Sequence, residues 1–161
     1  MTKTMREVME DARLLVRENV VGAPPGKQLP PLFMIARRDG LGGEIVVARW
    51  EDNQERALMI TALRERVRRD ASAYAVVTEA WMIRRDAGTD TTAERPSRAP
   101  DRVEVVTIMA GDDTGTSVAV LRMVRDERGA CVDLVADEEA ESAGAPEGAL
   151  TGWLVPERTV H

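Results

Sequence analysis

Three charged residues interrupt otherwise apolar segments of this chain, and they are the residues best suited to chemistry. Glu79, Glu104 and Arg122 each lie within a hydrophobic run. A charge in such a place needs a partner or solvent. We expect a cross-strand ion-pair cluster on a partly exposed face. The catalytic alternative is a carboxylate pair in which one raised pKa creates a general acid, with Arg122 or Arg84 holding an anionic substrate.

Other catalytic chemistry has little support, because the chain has one histidine, His161, and one cysteine, Cys131. A Ser–His or Cys–His pair needs an imidazole held by the fold, and a terminal residue is usually frayed. A zinc site needs three or four convergent ligands. We therefore predict no metal and no cofactor. Cys131 is expected to be a small buried hydrophobe, and a single cysteine fits a reducing cytoplasm.

Two short polar motifs are expected to be turns. The glycine-rich run at 39–43 is followed by a strand and not by a helix N-terminus, so it does not fit a phosphate-binding loop. Asp112 and Asp113 are adjacent but lack the spaced ligands of a calcium loop. A tight, solvated turn is the better interpretation of both motifs.

An acidic run near the carboxyl end has two interpretations. It contains Asp137, Glu138, Glu139 and Glu141 within residues 137–148. A run of this kind is typical of a solvated linker. The alternative is a surface that contacts a basic or nucleic-acid-binding partner.

Tryptophans are enriched at the centres of protein interfaces, although core packing is the commoner use. The chain has three, at Trp50, Trp81 and Trp153. Trp153 is the strongest interface candidate, because residues 149–156 suggest a strand at the edge of a sheet. Trp81 is the second candidate.

Composition predicts one soluble domain of 161 residues, with 43% hydrophobic and 31% charged residues. No apolar run is long enough to span a membrane. The net charge is −6. Residues 1–72 carry 13 basic and 11 acidic side chains, whereas residues 73–161 carry 9 and 17. Nucleic-acid binding through the whole surface is therefore disfavoured.

Hydrophobic periodicity predicts a single α+β domain over residues 1–161. The expected elements are a helix at 1–20, a hairpin at 32–50, a helix at 53–70, antiparallel strands at 73–136, the acidic linker at 137–148 and an edge strand at 149–156. We expect a mainly antiparallel sheet of five to seven strands with two helices packed mainly on one face. The central strands are apolar on both sides, so the second face needs cover from curvature of the sheet, from the loop at 86–101 or from another subunit. A homodimer is the simplest of these and is the expected one.

The segment Val76-Val-Thr-Glu-Ala-Trp81, followed by Pro100-Asp-Arg-Val-Glu-Val105, resembles short uncharacterised proteins of bacteria and their phages. The resemblance covers the middle of the chain. It implies a compact α+β domain of bacterial or phage origin and no particular mechanism.

Together these observations favour a non-catalytic, cytoplasmic binding or protein-interaction module that is dimeric. One version is an acidic adaptor or inhibitor that engages a protein partner through the acidic run. The rival hypotheses are a histidine-independent enzyme that uses Glu79, Glu104 and Arg122, and a sensor of a small ligand beside the polar loop at 86–101. The enzyme hypothesis requires the two glutamates to converge in one pocket.

Overall fold

The computed structural model describes residues 2–82, 103–142 and 153–154. The elements are α1 (Met5–Val20), β1 (Leu32–Arg37), β2 (Gly43–Val47), α2 (Asn53–Asp70), β3 (Ala71–Met82), β4 (Val103–Asp112), β5 (Gly115–Arg125), β6 (Cys131–Ala136) and α3 (Glu138–Ser142). The polar loop at 86–101 lies outside the described residues. So does most of the edge strand expected at 149–156, of which Trp153 and Leu154 are described and form part of a turn.

The six strands form one antiparallel sheet in the order β2-β1-β3-β4-β5-β6. This confirms the predicted α+β fold and the predicted number of strands. Three of the five strand pairs, β1–β2, β4–β5 and β5–β6, are hairpins of consecutive strands joined by at most five residues, and such short connections require antiparallel neighbours. None of the described helices has the length and hydrophobicity that a bilayer crossing requires.

The two long helices lie on opposite faces of the sheet, so the expectation that both pack mainly on one face is corrected. Helix α1 buries Val8, Ala12 and Val16 with Val106 and Ile108 of the sheet. Helix α2 packs Ile60, Leu63 and Val67 on the other face, against side chains such as Phe33 and Val76. The physical reason is that the central strands are apolar on both faces, and each face needs its own cover. We call these the α1 face and the α2 face.

Local side-chain bonds fix where the helices begin. Thr4 and Glu7 form the predicted capping box at α1. Asp112, at the turn between β4 and β5, accepts hydrogen bonds from the Thr114 amide at 2.8 Å and from the Met5 amide at 3.3 Å. The aspartate therefore ties the start of α1 to the sheet and is part of the fold.

An aromatic cluster closes the α2 face. The Trp153 ring stacks on Tyr74, with ring centroids 4.9 Å apart, and on Phe33 at 6.0 Å. The Arg68 Nε atom donates to the Trp153 carbonyl at 3.1 Å. A Cβ atom added to Gly111 would lie 2.8 Å from the Tyr74 ring, so glycine is needed there. The structure thus places Trp153, which is 3% exposed, in the core of this chain and not on a surface.

The contrast between two tryptophans gives a stability test. We expect Trp153→Ala to lower the free energy of unfolding by about 3 kcal/mol, because it empties a stacked, buried site. Trp81→Ala is the matched control. Since Trp81 is 39% exposed, its loss is expected to cost less than about 1 kcal/mol. Urea denaturation followed by circular dichroism measures both. Equal stabilities for Trp153→Ala and the wild type would contradict the core assignment.

Candidate functional site

A proline- and glycine-rich segment, residues 21–31, crosses the α1 face of the sheet; we call it the strap. It begins where α1 ends, and the Gly22 amide donates to the Cys131 carbonyl of β6 at 2.8 Å. A turn follows, in which the Lys27 amide donates to the Pro24 carbonyl and Gly26 has φ +83°. That positive φ at the third position is what a type II turn requires, and glycine supplies it without strain.

The strap is fastened to the sheet again at its far end. The Leu29 amide donates to Glu79 Oε1 at 2.9 Å, and the Ala48 amide donates to the Pro31 carbonyl at 2.8 Å. The strap therefore runs from β6 to β3 and β1, over the ends of β4 and β5. The bond to Glu79 involves a side chain of the sheet, whereas the bonds at Gly22 and Pro31 join backbone atoms.

Glu79 and Glu104 lie on the same face of the sheet, as the sequence-based enzyme hypothesis required. Glu79 is paired with Val106 of β4, and Trp81 is paired with Glu104. Val106 belongs to the core under α1. Since side chains alternate between faces along a strand, both glutamates and Trp81 lie on the α1 face.

Contrary to the expectation from the sequence, Arg122 does not lie near Glu79 and Glu104. Arg125 is the arginine that binds Glu104. Arg122 is paired with Val105 and lies on the α2 face, because its neighbours Leu121 and Met123 are in the α1-face core. The two-residue turn between β4 and β5 sets this register. A two-residue turn pairs Val105 with Arg122, which puts Arg122 on the face opposite to Glu104. Because side chains alternate along a strand, Arg125 is then on the same face as Glu104.

Arg125 is held firmly by two groups. Its guanidinium forms a two-pronged ion pair with Glu104, in which Nη2 donates to Oε1 at 3.0 Å and Nε donates to Oε2. Its Nη1 donates to the Gly129 carbonyl at 2.6 Å. The sequence predicted a cross-strand ion pair in this region, and the pair is formed by Glu104 with Arg125.

Two open clefts flank the strap and meet at Glu79. The first has a volume of about 360 Å³ and lies between the end of α1, the strap and β2; Leu15, Leu29, Ile45 and Val47 are among its apolar lining residues. The second has a volume of about 440 Å³, and its lining includes Trp81, Glu104 and Arg49. Glu79, Leu29 and Met123 line both clefts. We call this whole site the strap cleft.

The environment of Glu79 raises the pKa of its carboxyl group above the ordinary value of 4.5. Burial is the main cause, because it disfavours the charged form. The hydrogen bond from the Leu29 amide opposes it, the negative charge of Glu104 adds to it, and the positive charge of Arg125 opposes it. Glu79 is thus a partly desolvated acid that is coupled to an ion pair beside it.

The acidic run is partly built into the fold, which corrects the expectation of a linker starting at residue 137. Asp137 is 6% exposed; its Oδ1 accepts from the Ala140 amide and its own amide donates to the Val120 carbonyl. Glu141 accepts from the Val120 amide at 3.0 Å. These bonds hold α3 on β5 just beyond the last residues of β6. Glu138 and Glu139 are exposed, and residues 143–148 lie outside the described residues.

The structure offers no site for a metal within the described ranges. There, no three His, Cys, Asp or Glu side chains are grouped so that they could hold an ion. Cys131 is buried and free of any disulfide, as the sequence predicted. Its thiol donates to the Asp133 carbonyl at 3.3 Å.

The pKa of Glu79 predicts how stability depends on pH. In the native state Glu79 keeps its proton over a pH range in which the unfolded chain has lost it. The free energy of unfolding of the wild type is therefore expected to fall, relative to Glu79→Gln, as pH rises from about 4.5 through the raised pKa. Urea denaturation between about pH 4 and pH 8 measures this difference.

Glu18→Gln is the control for this experiment, because Glu18 is exposed on α1. Its stability relative to the wild type is expected to stay level over the same range. A difference between wild type and Glu79→Gln that grows in favour of the wild type with rising pH would show that the surroundings stabilise the carboxylate, and it would contradict the raised pKa of Glu79.

No protein-family model, no curated protein and no solved structure matches this chain. The resemblance to short bacterial and phage proteins therefore stays a prediction. What the strap cleft binds has to be inferred from the residues that form it.

Proposed function

We propose that this chain is a non-catalytic binding module, and that the strap cleft accepts a positively charged group attached to an apolar body. The observation that carries this proposal is the state of Glu79. One of its oxygens is bound to the strap through the Leu29 amide. The other, Oε2, accepts no hydrogen bond from the described residues, and it belongs to a partly desolvated carboxylate at the meeting point of two clefts.

The charges on the cleft floor support a cationic ligand. Arg125 is already neutralised by its two-pronged pair with Glu104. Glu79 forms no ion pair with a described residue, and the nearby Arg125 offsets its charge only at longer range. Lys27 and Arg49 also line the clefts, but both are exposed to solvent. A cation beside a partly buried carboxylate is attracted more strongly than it is in water, because the local dielectric constant is lower.

The walls of the cleft support an apolar body on that cation. Leucine, valine, isoleucine and methionine side chains make up much of the lining of the first cleft. Binding sites for small groups typically combine such walls with a few placed polar atoms that fix orientation. In the second cleft the half-exposed Trp81 lies beside Glu104, and a tryptophan face favours a nearby cation.

A catalytic function is the second candidate, and the specific observation in its favour is that Glu79 has a raised pKa and lies near a second carboxylate. That pattern is what a general acid needs. We prefer binding because both glutamates already hold parts of the fold: Glu79 holds the strap and Glu104 holds Arg125.

The earlier adaptor hypothesis needs a narrower test than neutralisation of the whole acidic run. Asp137 and Glu141 hold α3 in place, so replacing them disturbs the fold whatever their role in binding. Glu138→Gln combined with Glu139→Gln removes two exposed charges and leaves the bonds made by Asp137 and Glu141 in place. If an acidic surface captures a basic partner, this double variant is expected to weaken capture, and unchanged capture would contradict that version.

The strap cleft is tested with three probes that share one alkyl chain: hexylammonium, hexanol and hexanoate. Titrations followed by ¹H–¹⁵N NMR report on the Leu29 amide and the Trp81 indole. We expect hexylammonium to shift both signals at a concentration roughly tenfold lower than hexanol does, corresponding to about 1.4 kcal/mol for one partly buried ion pair. Glu79→Gln is expected to remove that difference, and Glu18→Gln to leave it intact. Equal or stronger binding of hexanoate would overturn the proposal.

The same chemistry can come from a small organic ammonium compound or from a lysine or arginine flanked by apolar residues in a protein. Native mass spectrometry of the purified chain distinguishes these sources. A retained small cation that is lost in Glu79→Gln identifies the first. A bare chain that binds a short apolar peptide with a central lysine, but not the same peptide with norleucine there, identifies the second.

A further inference from the structure

The two edges of the sheet differ in how their backbone groups are covered. At the outer edge of β6, the Cys131 carbonyl accepts from the Gly22 amide and the Leu134 amide donates to the Asp133 side chain. The chain then turns into α3, which is held on β5 by Asp137 and Glu141. The outer edge of β2 has no such cover from the described residues.

The hydrogen bonds that flank β2 show which of its residues face outward. The Ala48 amide donates to the Pro31 carbonyl, and the Arg37 amide donates to the Gly42 carbonyl. Backbone bonding alternates along an antiparallel strand, so the even-numbered residues of β2 face β1. The amides and carbonyls of Gly43, Ile45 and Val47 consequently face away from the sheet, and no hydrogen bond to them is present in the described part of the chain.

The side chains of β2 leave this edge unprotected. Ile45 is 54% exposed and Val47 is 47% exposed. A charged side chain, a proline or a bulge often protects a natural edge strand from pairing with another strand. The one charged side chain of β2, Glu44, is paired with Arg66 of its own chain. The sequence of β2 is Gly-Glu-Ile-Val-Val, and its pairing with β1 has no bulge.

We propose that β2 is an interface at which a second copy of this chain pairs in antiparallel fashion, about a twofold axis at Ile45. In this register Ile45 lies opposite Ile45 of the partner subunit, and Gly43 lies opposite Val47 of the partner subunit. All three outward-facing residues then form backbone hydrogen bonds. The two sheets become one continuous sheet of twelve strands, since each copy contributes six.

Self-complementarity is the reason for choosing a second copy over a foreign strand. The outward-facing residues are spaced evenly about Ile45, so an identical strand satisfies every one of them, as a closed twofold interface requires. The same register places Glu44 opposite Val46 of the partner subunit, so the two Glu44 carboxylates do not face each other. Glu44 itself is paired with Arg66 of its own chain.

The exposed apolar side chains of β2 lie on one face of the sheet. Ile45 and Val47 project on the α1 face and line the outer wall of the first cleft. In the paired form the equivalent side chains of both copies meet there and leave water. The inference does not rest on what the cleft binds, because it follows from the backbone and exposure of β2 alone.

Disulfide trapping tests the register directly. In a hydrogen-bonded antiparallel pair the Cα atoms are about 5.5 Å apart, which lies within the range that a disulfide spans. Ile45→Cys is therefore expected to form a covalent dimer under mild oxidation. Val47→Cys is the matched control, because the two copies of residue 47 would be about 14 Å apart along the paired strands. The native Cys131 is buried and does not contribute.

Sedimentation velocity over a range of concentrations tests the dimer without a cross-link. We expect reversible dimers in the wild type, their loss in Ile45→Lys, and no change in Val132→Lys, which adds the same charge at an exposed position of β6. Ile45→Pro is a second variant, since it removes an outward-facing amide and leaves the bonds to β1 intact. Circular dichroism verifies that each variant is folded.

A wild type that stays monomeric at millimolar concentration would overturn the proposal. So would a dimer that persists in Ile45→Lys, because it would use another surface. Equal cross-linking by Ile45→Cys and Val47→Cys would overturn the register. None of these results bears on the alkylammonium titration, so the two proposals fail separately.

Discussion

The central strands of the sheet are apolar on both faces, and the need to cover both faces determines where nearly every other element lies. Helix α1 covers one face and α2, with the aromatic cluster around Trp153, covers the other. Burial of apolar surface is the main favourable term in folding. A single layer of helices would leave half of that surface in water, so an arrangement of three layers is the stable solution.

The strap cleft exists because helix α1 is shorter than strand β3 beneath it. The 16 residues of α1 span about 24 Å, whereas the 12 residues of β3 span about 40 Å. The helix therefore cannot cover the full length of the strands beneath it. The strap covers part of the remainder, but a segment with prolines and glycines cannot fill space as closely as a helix face. A carboxylate tolerates this region because the Leu29 amide and nearby solvent both stabilise its charge.

The sequence predicted the helices and hairpins well, but it predicted poorly which face of the sheet a helix or side chain occupies. Capping residues and alternating hydrophobicity are local signals, so α1, α2 and the hairpins could be located from them. The sequence also predicted that Glu79 and Glu104 lie close together, in a cluster with an arginine. The expectation that Arg122 joins the two glutamates was wrong because the strand register was not known, and a shift of one residue in register moves a side chain to the other face. Likewise, the strap lacks any periodic pattern, so nothing in its composition indicated that Leu29 would bind Glu79.

The predictions for the acidic run and for Trp153 were wrong for a similar reason: contacts between residues that are distant in the sequence decide where both lie. Charge alone suggested a linker at residue 137, yet Asp137 caps a short helix and Glu141 satisfies a backbone amide of β5. Such roles depend on which donors are nearby in space, and a linear pattern does not contain that information. Trp153 follows a long acidic segment in the sequence, but its place is decided by Tyr74 and Phe33, which are far away along the chain.

Strand β2 is attached to the sheet along one side only, through its hairpin with β1. Segments with few packed neighbours open locally at a lower free energy than the global unfolding free energy, so β2 is the part of the sheet most prone to transient fraying. A strand that acquires a neighbour on its second side changes from an edge into an interior position. Association through β2 would thus slow amide exchange in the least protected strand of the sheet, which links the rigidity of each chain to its concentration.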